Sequence, residues 1–183
     1  DKQDGAKYKA FETEEEAVQA FEKGYEHYLK TASSAKAAAG LAPKAPVGKP
    51  IWESLCVDAA CSGNPGDMEY RGVYPPTMQE IFRIGPLKKG TNNIGEFLAL
   101  VHGLALLKQK GSSLPIYSDS RNAIGWVKKK KCKTLLERVP ENEPIFDLIE
   151  RAEKWLKTNT YTTPILKWET SEWGEIPADF GRK

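Results

Sequence analysis

Three apolar-patterned runs stand close together after Ile51, and they restrict the fold more than any other feature of the sequence. SLCVDAAC reads as a buried strand, and SGNPG after it as a turn. MEYRGVY and EIFRIG are two further strand patterns, near enough to pair as an antiparallel meander. The pattern then changes. Helical spacing is predicted over 94–108, a short strand at PIYSD, a second helix over 120–128, a third over 144–157, and a last strand at TPILKWET. Strands separated by helices pair in parallel, so the expectation is an α/β chain: a five-stranded mixed sheet flanked by helices. There is no internal repeat.

Upstream, YKAFETEEEAVQAFEKGYEHYLK carries a capping box at Thr13 and Glu16, then Ala17, Phe21, Tyr25 and Tyr28 at helical spacing. TASSAKAAAGLAPKAPVGKP, residues 31–50, is Ala, Ser, Lys and Pro and reads as a linker. The expected organisation is an N-terminal helical appendage over 1–30, a linker over 31–50 and a catalytic domain over 51–183. A chain of 183 residues supports one packed domain with such an appendage. The net charge is only +2, so affinity for nucleic acid has to come from local basic patches. Cys56, Cys61 and Cys132 form no CxxC pair, which argues against a disulfide framework or a zinc site. No apolar run reaches the length of a membrane span and no signal peptide is visible, so the expected setting is reducing and cytoplasmic, with no membrane partner.

Four carboxylates occupy unusual positions. Asp58 interrupts a strand pattern between Val57 and Ala59; its plainer explanation is a solvated strand end. Glu96 is the one acid in a helix that is apolar on nearly every side. Its plainer explanation is the third position of a capping box begun by Asn93. Asp119 ends the strand PIYSD and is explained equally by a helix cap. Asp179 is near the chain end, where an exposed acid is ordinary. If the four converge, they repel one another and stay ionised only beside cations. Oxygen ligands of this kind suit magnesium or manganese, and two such ions about 4 Å apart serve in-line attack on a phosphodiester. No Ser/His/Asp set competes: His27 is in the N-terminal helix, and His102 reads as a structural residue of the core helix.

VDAACSGNPG, TNNIGEFLALVHGL, IYSDSRNAIGW and IPADFGRK, in this order, resemble the bacterial type 1 ribonuclease H family over residues 51–183. The resemblance implies a ribonuclease H-like fold and endonucleolytic cleavage of the RNA strand of RNA/DNA hybrids, leaving 5′-phosphate and 3′-hydroxyl ends. It implies two Mg2+ ions, with Mn2+ as a substitute. Asp58 would bridge both, Glu96 and Asp119 would hold the ion on the leaving-group side, and Asp179 the ion that activates water. Glu175 matches an additional acid that tunes metal binding or product release. If the segment is helical, Glu175 lies one turn before Asp179 and both face one side.

The same resemblance places Gly63, Asn64, Asn92 and Arg121 near the scissile strand, with Asn92 as the reader of the 2′-hydroxyl. Thr91, Asn93, Thr134 and Thr170 match a pocket for a DNA phosphate. Trp126 matches an aromatic residue that packs against a deoxyribose; the plainer role is core packing on its helix. The run KKKKCK, residues 128–133, lies next to these contacts and suits phosphate attraction. YKAFETEEEAVQAFEKGY resembles the second half of a small hybrid-binding, viroplasmin-like domain. One departure stands out: ETSEWGEIPAD is short and lacks the histidine that many members carry before the fourth acid. That leaves no side chain titrating near neutrality there, and implies an alkaline optimum or a manganese preference.

Two alternatives stay open on sequence alone. One is a catalytically silent hybrid-binding module, and the other a DNA-directed two-metal nuclease of the same fold. No obligate protein partner is implied, and a monomer is expected.

Overall fold

The computed structural model describes residues 47–181. The helix expected in the appendage, His27 and most of the expected linker lie outside the described residues. Three strands, β1 (Leu55–Cys61), β2 (Gly66–Tyr74) and β3 (Gln79–Gly90), form the antiparallel meander. β4 (Ile116–Ser118) and β5 (Ile165–Lys167) add in parallel on the other side of β1, giving the order β3-β2-β1-β4-β5. The five-stranded mixed sheet is therefore as expected. β3 runs longer than its sequence pattern, and β5 is shorter.

Helix α1 (Asn92–Gln109) makes the crossover from β3 to β4. It is buried around most of its circumference, which its nearly continuous apolar sequence demands. Two glycines let it lie close to the sheet. A Cβ on Gly95 would stand 2.7 Å from the Ala59 Cβ, and one on Gly103 would stand 2.4 Å from Ile116 Cδ1. The helix starts two residues earlier than a cap at Asn93 allows. Thr91 is the N-cap, its hydroxyl accepting from the Ile94 N–H, and no acid lies in the first turn. The capping-box explanation of Glu96 is thus excluded.

Helix α2 (Arg121–Lys128) is capped by Ser120, whose hydroxyl accepts from the Ala123 N–H at 3.1 Å. Asp119 is not the cap. After a 3-10 turn at Pro140–Asn142, helix α3 (Glu143–Thr158) packs beside α1 and leads to β5.

Strand alternation gives the sheet two faces. Leu55, Val57 and Ala59 meet α1 in the main core. Cys56, Val73, Tyr117 and Trp168 form a second, smaller core that is covered by Ile176 and Ala178 from the C-terminal segment. That segment holds a four-residue helix, α4 (Thr170–Trp173), which ends at Gly174 with φ +78°. The Asp179 N–H then donates to Ile176 O at 2.8 Å in a turn. Residues 175–179 are not helical, so the expected one-turn spacing of Glu175 and Asp179 does not hold. Three rings seat the segment: Trp168 lies 5.0 Å from Trp173 and 5.4 Å from Tyr117, centre to centre. Trp168 Nε1 donates to Gly174 O at 2.9 Å, and Trp173 Nε1 to Gly48 O at 2.9 Å. The three cysteines are all free. Among the described residues no helix is long and apolar enough to cross a membrane.

Candidate metal centre

Each of three carboxylates is delivered by a different element. Asp58 sits in the middle of β1, Glu96 in the second turn of α1, and Asp119 immediately after β4. β1 and β4 are parallel neighbours, and Gly95 brings the start of α1 onto Ala59, so the three side chains meet. One oxygen from each lies within 4.8 Å of the others. Asp58 is 6% exposed and Glu96 3%, so two acids share a site nearly closed to water. They line a cavity of about 660 Å³ together with Cys61, Asn92, Ser120, Glu175, Asp179 and Phe180, among others.

The electrostatics are those of crowded like charges. Burial, with Asp119 and Asp179 nearby, pushes Asp58 up to about 6, although contact with Glu96 and the Ala59 N–H work the other way. Burial also drives Glu96 well above the usual carboxylate range, helped by its contact with Asp58 and the charges of Asp58 and Asp119. Asp119 is raised by burial and by Glu175 and Asp179, against the pull of Lys167. Glu96 Oε2 is the only fully buried side-chain polar atom among the described residues without a hydrogen-bond partner. A buried carboxylate oxygen left so is costly. A hard divalent cation would give that oxygen a partner and reverse the repulsion, so the donor set fits such an ion.

Asp179 belongs to the cavity lining but not to the close set of three. Its Oδ2 accepts from the Gly181 N–H at 2.9 Å. Glu175 is exposed at the same cavity. Of the residues expected to contact substrate, Asn92 lines the cavity as the first residue of α1. Gly63 and Asn64 lie in the exposed turn between β1 and β2, and Arg121 is exposed at the start of α2. Thr91 and Asn93 flank Asn92, Thr134 follows α2 and accepts from the Leu136 N–H, and Thr170 opens α4. These four threonine and asparagine residues thus come from three separate parts of the chain. Trp126 is half-buried and meets Phe97 edge-on at 6.2 Å, so it packs on the core from one side. In the lysine run, Lys128–Lys131 are exposed, Lys131 pairs with Glu153 at 3.0 Å, and Cys132 is buried. His102 stacks on Phe82 at 3.9 Å, away from the cavity, with its pKa lowered by burial. The sequence reading missed Lys167, which stands next to Ser118 in the register and so beside Asp119.

Residues 53–167 match the RNase H family. The chain belongs to that family. The matched stretch contains Asp58, Glu96 and Asp119 and ends before Glu175 and Asp179. Ribonuclease H of Rickettsia bellii is 31% identical over 137 residues, 68% of this chain and 83% of that protein. Ribonuclease H of Rhodopirellula baltica is 41% identical over 75 residues, 40% of this chain, and the match spans 46% of that relative. Among solved structures, LC11-RNase H1, isolated from compost, is similar with a TM-score of 0.40 and 16% identity, covering 66% of this chain and 87% of that one.

Proposed function

We propose that this chain is an endonuclease that hydrolyses the RNA strand of RNA/DNA hybrids, leaving 5′-phosphate and 3′-hydroxyl ends. The observation that carries the reading is the buried triad of Asp58, Glu96 and Asp119 with its orphaned Glu96 Oε2, in a chain of the RNase H family. A module that only binds hybrids has no use for buried, mutually repelling carboxylates, which cost stability unless a cation joins them. Two magnesium ions, when bound, supply an activated water and neutralise charge at the reacting phosphodiester.

The protein's part is to hold and to read. Asp58, with an oxygen within 4.8 Å of both Glu96 and Asp119, is suited to serve both ions; Asp179 adds a carboxylate to the same cavity. Glu175, exposed at the cavity and outside the close set, is suited to tune metal binding or product release. Asn92 offers an amide beside the acids for a 2′-hydroxyl, the group that separates RNA from DNA. Thr91, Asn93, Thr134, Thr170, Gly63, Asn64 and Arg121 are assigned to backbone contacts, and the open side of Trp126 to a deoxyribose. With no histidine among the lining residues, proton transfer to the leaving oxygen falls to water, which favours an alkaline optimum.

The deciding experiment uses labelled RNA/DNA, RNA/RNA and DNA/DNA duplexes with magnesium and with EDTA. Only the hybrid with magnesium should be cut, and only in its RNA strand. Cleavage of DNA/DNA, or hybrid cleavage that persists in EDTA, would defeat the reading.

A further inference from the structure

Arg71 lies directly across from Asp58 on the neighbouring strand β2. Its guanidinium is bonded within the protein through all three nitrogens. Nε donates to the carbonyl of Ala178 at 2.8 Å, and Nη2 to the carbonyl of Asp179 at 2.6 Å. Nη1 donates to Glu80 Oε2 at 3.1 Å, and the guanidinium carbon stands 4.7 Å from the centre of the Phe180 ring. Arg83, opposite Arg71 on β3, lies over the same ring at 5.3 Å and is itself held by Glu69.

Two carbonyls in series are what a planar guanidinium fork can grip and a lysine cannot. The grip falls on the one candidate ligand that no strand or helix secures. Asp58, Glu96 and Asp119 stand within or beside regular elements, whereas Asp179 stands in an irregular segment close to the chain end. Four acids around one cavity repel one another, and the acid that no strand or helix carries has the fewest regular backbone hydrogen bonds to oppose that repulsion. Arg71 opposes this with two hydrogen bonds, a ring contact and a positive charge. Nε, Nη1 and Nη2 each donate within the protein, so the side chain is held in one orientation.

We propose that Arg71 is a positioning residue for Asp179: it clamps the main chain on either side of the Asp179 peptide, and so keeps the fourth carboxylate at the cavity before any ion arrives. The inference rests on the reading of Asp179 as a metal ligand. It explains how a chain can bring an acid from an irregular segment to a site without a helix to carry it.

The test is a double-mutant cycle on metal affinity, read by calorimetric titration of Mn2+ into the full chain without substrate. Asp179→Asn and Arg71→Met should each weaken binding about tenfold, as loss of a partner that orients a ligand typically does. The double variant should be no weaker than Asp179→Asn alone, because the clamp acts only through that carboxylate. Additive losses would overturn the proposal, since they would mean that Arg71 acts on the fold or on another ligand. A weakened Asp179→Asn beside an unchanged Arg71→Met would overturn it while leaving the ligand reading intact. An unchanged Asp179→Asn would remove both. If Arg71→Met has no cooperative melting transition, Arg71→Lys takes its place in the cycle. That variant keeps the charge and loses the fork; a loss of about threefold is expected, and parental affinity would overturn the proposal.

Discussion

Asp58 and Glu96 are held in an arrangement that the metal-free protein resists. Asp58 rises from 3.8 to about 6 on folding, so its proton is bound more tightly in the native state. By linkage, Asp58 favours folding below about pH 4 and loses that contribution as the pH rises through about 6, and Glu96, raised further, acts in the same sense. A cation competes with those protons. Magnesium should therefore raise the melting temperature more at pH 8 than at pH 5, measured against EDTA controls. Glu96→Gln imitates the protonated acid. In EDTA it should stabilise the protein, the more so the higher the pH, and it should weaken the response to magnesium, both read by thermal melting. Asp119→Asn should lower hybrid cleavage by at least about a hundredfold while hybrid binding in a gel-shift assay persists, if its oxygens serve an ion rather than the fold. At this scale the acids were legible because each breaks a local rule: an acid in a strand, an acid in an apolar helix. Lys167 and Arg71 were not. A lysine on a last strand and an arginine on a second strand break no rule, and their partners lie far along the chain.

Helix α1 decides whether Glu96 reaches Asp58. Its glycines at 95 and 103 are sites of close approach, where a methyl group would collide with Ala59 and Ile116. Gly103→Ala should cost about 1–3 kcal/mol in chemical denaturation, by overpacking a core with no slack. Length and continuous apolarity made this helix legible, but not its start, since Thr91, Asn92 and Asn93 are all capping residues. The element at 170–173 was not legible at all. A helix of four residues is about one turn, too short to show a period, and what holds it is aromatic contact with Tyr117 and Trp168. Trp168 is 2% exposed at the centre of that contact. Trp168→Ala should cost about 3–5 kcal/mol in thermal or urea unfolding, a loss carried by the smaller core and the segment above it.

The molecule as a whole has a sheet with two unequal faces. One is the ordinary core under α1, which the strand and helix patterns announce. The other is a small apolar patch closed by the C-terminal segment, and the acid cavity opens where that segment meets the ends of β1 and β4. The meander and the mixed character of the sheet could be read from the sequence, because three runs follow one another closely and the later ones are separated by helices; the addition of β4 and β5 beside β1 could not. The closing of the second face could not, because it depends on contacts between residues more than a hundred positions apart, such as Arg71 with Ala178. The seated segment also has an optical consequence. Tyr117, Trp168 and Trp173 lie within 6.0 Å of one another, centre to centre, so light absorbed by the tyrosine passes efficiently to the two indoles, of which that of Trp168 is shielded from water. Lifting the segment would wet those indoles and redden their emission. The protein thus carries its own fluorescent gauge of whether the fourth acid is at its post, legible without a dye.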